Sequence, residues 1–183
     1  MASKTLPSVD GIRTTTDGSG FEVLDVNVAS VGTGTTVSIT PTISASPDYS
    51  VLDVIGGIQT IALANFESGR PTKLVSIAGI DKTGLSPQFT ILLFKATPSA
   101  GTYSDNGALV FGAGDLANYV GSVKVVAADW YVPVSGSGVM ALGNIGLVLP
   151  VSATSLFALI IADATWNAAS TSDLSLTFGF ERA

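Results

Sequence analysis

At 183 residues the chain is long enough for one domain with a sizeable core. It holds neither cysteine nor histidine, which excludes disulfides, thiolate metal sites, the commonest zinc ligand and the commonest general base. Charged residues make up only 12% of it, against about 25% in an average soluble domain, and the mean hydropathy is +0.52. The longest apolar run, Leu156 to Ala162, is far short of the roughly 20 residues of a membrane-spanning helix. No aromatic girdle pattern of a membrane β-barrel repeats, and the first ten residues show no signal-peptide core. The expectation is a soluble chain, part of whose surface is covered by other subunits. The net charge is −6 and the eight bases are scattered, so direct nucleic-acid binding is not expected.

Residues 1–47 are rich in Ser and Thr, and from Val26 through Pro47 there is no charge. Phe21 and Val23, then Leu24, Val26 and Val28, read as a strand with a one-residue phase slip, as at a bulge. Val37, Ile39 and Ile43 alternate with Thr36, Ser38, Thr40, Thr42 and Ser44, a period-two pattern. We expect residues 1–47 to form an extended β-prone arm. Its eight apolar residues, Phe21, Val23, Leu24, Val26, Val28, Val37, Ile39 and Ile43, are the candidates for binding a neighbouring subunit.

Residues 48–183 read as one all-β domain. Strands are expected at Leu52–Val54, Ile58–Leu63, Lys73–Ile80, Gln88–Lys95, Tyr119–Ala127, Val139–Val148, Ser155–Ala162 and Leu174–Arg182. Turn signals separate them: Gly56-Gly57, Ser68-Gly69, Lys82-Thr83-Gly84, Asp105-Asn106-Gly107, Ser135 to Gly138, and the loop Thr165 to Asp173. In the last strand Leu174, Leu176, Phe178 and Phe180 alternate with Ser175, Thr177, Gly179 and Glu181. Phe89–Phe94 and Leu156–Ile161 are apolar on both faces, which suits central strands. No sustained helical period exists, although Asp115 to Tyr119 suits a single helical turn. The expected fold is an antiparallel β-sandwich, jelly-roll-like, with an extended N-terminal arm.

Several short patterns invite a chemical reading. Gly112 to Ala117 matches the dinucleotide fingerprint GxGxxA, with Asp129 as a ribose-binding acid. A crossover helix needs a dozen residues that the spacing to the next strand does not provide, so a glycine-rich turn is expected. Asp105-Asn106-Gly107 lacks the further acids of a calcium loop and reads as a tight turn. Asp53, inside an apolar run, suits a hydrogen-bond acceptor in a turn, or a partner for Arg70, better than half of a catalytic carboxylate pair. Trp130, Tyr131 and Trp166 suit core or interface packing, with a sugar-stacking platform as the rival. Ser122 and Lys124 share a strand face, but nothing marks the lysine as deprotonated. No catalytic, cofactor or metal site is expected.

Four features mark residues 48 to 183. Tyr49 is followed by Asp53, Val54 and Gly56. A strand from Lys73 runs into Asp81. Leu93-Phe94 precede a loop with Pro98. Thr171-Ser172-Asp173-Leu174 enter the last strand. In these features the chain resembles small virion proteins of tailed bacteriophages, of the capsid decoration (cement, auxiliary head) type. That resemblance implies a non-enzymatic structural protein on the capsid surface, present in the host cytoplasm before assembly. Its partners would be the major capsid protein and copies of itself, most simply in a trimer, with no nucleic acid and no membrane. A tail tube or neck subunit is the first rival, a glycan- or receptor-binding sandwich the second, and a glycoside hydrolase the third.

Overall fold

The computed structural model describes residues 34–63, 71–149 and 155–182, together with the backbone of two strands nearer the N-terminus. The chain divides into two compact units, 1–33 and 34–183. In the first unit, β1 (Ile12–Thr16) and β2 (Glu22–Val26) form an antiparallel hairpin. Their pairing runs in continuous register from Ile12↔Val26 to Thr16↔Glu22. The bulge expected from the phase slip is therefore absent between Glu22 and Val26; Phe21 and Val28 lie outside the described residues.

The second unit holds ten strands: β3 (Thr35–Ile39), β4 (Val54–Ala62), β5 (Thr72–Asp81), β6 (Phe89–Phe94), β7 (Tyr119–Val125), β8 (Trp130–Val134), β9 (Ser137–Leu142), β10 (Leu147–Leu149), β11 (Ser155–Ala162) and β12 (Leu174–Arg182). The first sheet has the order β3-β12-β5-β9-β8, and β10 also pairs with β5. The second has the order β4-β11-β6-β7. Every pairing is antiparallel. Short 3-10 turns at Ala113–Asn118 and Ala127–Asp129 are the helical segments among the described residues.

The alternation in β12 sends Leu174, Leu176, Phe178 and Phe180 inward, and all four are buried. They meet Ile55, Ile61, Phe89, Ile91, Leu156 and Ile160 of the second sheet in one core. A large apolar side chain moved fully from water contributes roughly 1.5–3 kcal/mol. The second sheet is buried on its outer face too. There Val54, Phe94, Leu159 and Ile161 pack beneath Tyr103, with Leu109 and Phe111 beside it. Phe94 stacks on Phe111 at 5.7 Å. This roof, built by the loop between β6 and β7, explains why β6 and β11 are apolar on both faces.

Four expectations give way. First, the compact unit begins at Gly34 rather than at residue 48, because β3 pairs with β12 from Thr35↔Phe180 to Ile39↔Leu176. Second, Gly56-Gly57 is not a turn but an arch within one strand. Both glycines have positive φ (73° and 69°), and the pairing of β4 with β11 shifts between Ala158 and Ile160. A Cβ on Gly56 would lie 2.4 Å from Pro41 Cβ, a position only glycine fills without strain. Third, the expected strand Val139–Val148 is two, β9 and β10, which share one edge of β5 with Gly143–Gly146 between them. Fourth, Trp130 and Tyr131, which fall outside every expected strand, lie in β8.

Candidate functional site

The acidic residues show what the interior is built to do. Asp105 accepts hydrogen bonds from Ser44 Oγ, Tyr49 Oη and the Gly56 amide, each at 2.6 Å. It thereby ties the segment after β3 to the arch in β4. Tyr49 also stacks on Trp166 at 5.6 Å. Burial, and then the hydrogen bond to Asp105, pushes the Tyr49 hydroxyl far above the usual phenol range. Asp115 accepts from the Ser99 and Ala100 amides at 2.9 and 2.8 Å and from Tyr103 Oη at 2.5 Å. The Tyr103 hydrogen bond, aided by the two amides and opposed by burial, holds its carboxyl below the ordinary value.

Asp81 is fully buried at the end of β5 and accepts from the amides of Thr83, Leu85 and Ser86 and from Thr83 Oγ1. Asp173 accepts from the amides of Ala169 and Ser170 and from Ser170 Oγ. Burial pushes the Asp173 carboxyl up. The Ser170 hydroxyl, the two amides and the charge of Lys82 outweigh it and hold the group below its ordinary value. Asp53 accepts from the Ser50 amide, Asp129 from the Val126 amide, and Asp163 from Thr90 Oγ1. A carboxylate filled with donors in this way closes a loop that would otherwise leave amides unpaired.

The sequence patterns resolve accordingly. Gly112 to Ala117 forms a 3-10 turn whose Asp115 points inward. Asn106 has φ 53° in its turn, as the Asn-Gly reading expects. Asp53 is a turn acceptor; Arg70 lies outside the described residues. Lys124 is 63% exposed and sits 3.5 Å from Asp163, so it meets an acid rather than Ser122. Trp130 is buried, donates its indole N–H to the Pro87 carbonyl and packs edge-on to Phe89. Trp166 is buried too, and Tyr131 alone of the three is open, at 70%. No sugar-stacking platform is assembled from them.

Of the eight partner-binding candidates, Ile39 and Ile43 lie in this chain's own core and Val37 packs partly against it. The expectation that these three meet a neighbouring subunit is corrected for Ile39 and Ile43 by their burial. Val23, Leu24 and Val26 fall on β2. Phe21 and Val28 are outside the described residues. Among the described residues, no group of three acids is placed to hold a metal ion, and no helix is long and apolar enough to cross a membrane.

What sequence reasoning missed is the outer face of the first sheet. Tyr131 pairs with Val139, Val139 with Ile80, and Ile80 with Ser175. Next to this row run Ala141, Ala78, Thr177 and Ser38, again paired across strands. Neither row contains a charge. The signal was available in β5, where Ile80 is apolar out of phase with the buried Ile77. No protein-family model matches the chain, and no curated protein sequence matches it.

Proposed function

We propose that the chain is a non-enzymatic structural subunit that works by subunit contact, as a decoration protein on the capsid of a tailed bacteriophage. The observation that carries the reading is where the acids go. Asp53, Asp81, Asp105, Asp115, Asp129, Asp163 and Asp173 spend their carboxylates on donors within the chain itself. Among the described residues after Gly34 that leaves Asp48 and Glu181 as the exposed acids. A surface so short of charge suits a protein covered by neighbours better than one free in solution.

The strand order supports a jelly-roll reading of the sandwich. β3, β12, β5 and β9 lie side by side in one sheet and β4, β11, β6 and β7 in the other, so the chain steps between sheets from β3 to β4, β4 to β5, β5 to β6, β7 to β8, β10 to β11 and β11 to β12. Viral capsid domains are among the users of that plan. The resemblance of residues 48 to 183 to phage virion proteins supports the capsid surface as the place of action. The test is to add the purified chain to phage shells that lack their decoration protein and to image the particles. Regular density on the outer surface is expected. Density in a tail tube or neck would favour the rival, and no binding to any particle would refute the reading.

A further inference from the structure

We infer that the outer face of the sheet β3-β12-β5-β9-β8 is the surface through which two copies of this chain pair. The inference rests on, and deepens, the reading of the chain as an assembly subunit. The two sheets differ on their outer sides. The second is roofed by Tyr103, Leu109 and Phe111; among the described residues no such apolar roof lies over the first. Its outward row Tyr131, Val139 and Ile80 is exposed at 70%, 42% and 49%, whereas an antiparallel sheet facing water is normally polar on that side.

Charge selects a second copy as the occupant. The chain carries a net −6, so two copies repel at a distance and can meet closely only where acids are absent. The rows through Ile80 and Ala78 meet that condition. At the far end of the face Glu181 stands opposite Lys73, an opposite-charge neighbour that fits the polar rim of an interface. The serine and threonine hydroxyls in the uncharged rows already have partners. Ser38 Oγ lies 2.7 Å from Thr177 Oγ1, and Ser175 Oγ donates to the Ile39 carbonyl at 3.4 Å. Covering these three oxygens leaves each with a partner, and the Tyr131 hydroxyl must find its own across the interface.

The dimensions also fit. The five strands hold 35 residues, and at about 3.3 Å along a strand and about 4.8 Å between strands they cover roughly 550 Å². Two copies would together bury about 1,100 Å², which clears the roughly 1,000 Å² expected of a specific interface. A face meeting its own copy forms an isologous, two-fold contact.

Sedimentation velocity of the full chain tests this. The wild type is expected to run as a pair at micromolar concentration. Ile80→Lys is expected to weaken pairing at least about tenfold, because an unpartnered ammonium would be buried, while the variant keeps its β-type circular dichroism and a cooperative melt. Ala141→Arg is the second variant, at an exposed position opposite Ala78, and serves if the first unfolds. A monomeric wild type, or undiminished pairing in a folded variant, overturns the inference. If the monomer still coats phage shells, the capsid reading stands without the paired face. If the chain pairs through this face but coats no shell, the face stands and the capsid reading fails.

Discussion

Replacing Ile43 by Ala tests most sharply whether residues 34–47 belong to the sandwich. Ile43 is 1% exposed and lies in the main core, and its amide donates to the Thr171 carbonyl at 3.2 Å. Truncating a buried Ile to Ala costs about 2–5 kcal/mol, from lost burial and the cavity left behind. Near-complete burial puts the expected loss at about 3–4 kcal/mol. For a domain of this size each kcal/mol moves the melting temperature by about 2–4 °C, so a fall of roughly 6–16 °C is expected. Urea unfolding followed by circular dichroism measures the free energy directly, and an unchanged m-value would confirm that the same surface unfolds. Thr42→Ala, on the exposed side of the same segment, should stay within about 0.5 kcal/mol. A loss below about 1 kcal/mol at Ile43 would mean that the segment detaches from the core, and would restore the picture of an arm free to bind a neighbour.

Acid should destabilise the fold through Asp115 and Asp173. Both are held below their ordinary value of 3.8 in the folded chain, so their contribution is full above about pH 4 and is lost as pH falls through the folded values. Melting temperatures from pH 2 to 7 should show that decline, and it should be shallower in Asp115→Asn and Asp173→Asn; an identical slope would refute the assignment. Leu52→Asn should raise stability by about 1 kcal/mol, since Leu52 is exposed with φ 74° in a turn closed by the Asp53 amide on the Ser50 carbonyl, and Asn tolerates that conformation. A lower melting temperature would argue against the left-handed geometry. Gly112→Ala should cost about 1–3 kcal/mol in a chemical melt, because the new Cβ would lie 2.3 Å from the Ala100 carbonyl carbon. A silent substitution would remove the structural account of this turn.

Strand β12 was legible residue by residue because a strand's alternation is local: successive side chains point to opposite faces whatever lies beside them. The double-sided apolarity of β6 and β11 marked central strands for the same reason. Gly56-Gly57 was not legible. Two adjacent glycines suit a turn and an arch equally, and the choice came from Pro41 pressing on Gly56 and Asp105 taking its amide. Trp130 and Tyr131 are neighbours in sequence, yet one is buried and the other open. Recognising that pair as part of a strand required β9, which pairs with both.

The amino-acid sequence alone determined an all-β chain without cysteine or histidine chemistry, short of charge and punctuated by turns. Composition and alternation are properties of residues and near neighbours, and need no knowledge of the fold. Only the tertiary structure decided that Ile39 and Ile43 belong to the core, that the acids turn inward to hold loops, and that one sheet is roofed while the other presents Ile80 and Tyr131. Each depends on pairing between distant segments, such as β3 with β12, whose partners differ by more than a hundred positions. Local alternation says that a strand has an apolar face, and closure of the sheets says what that face meets.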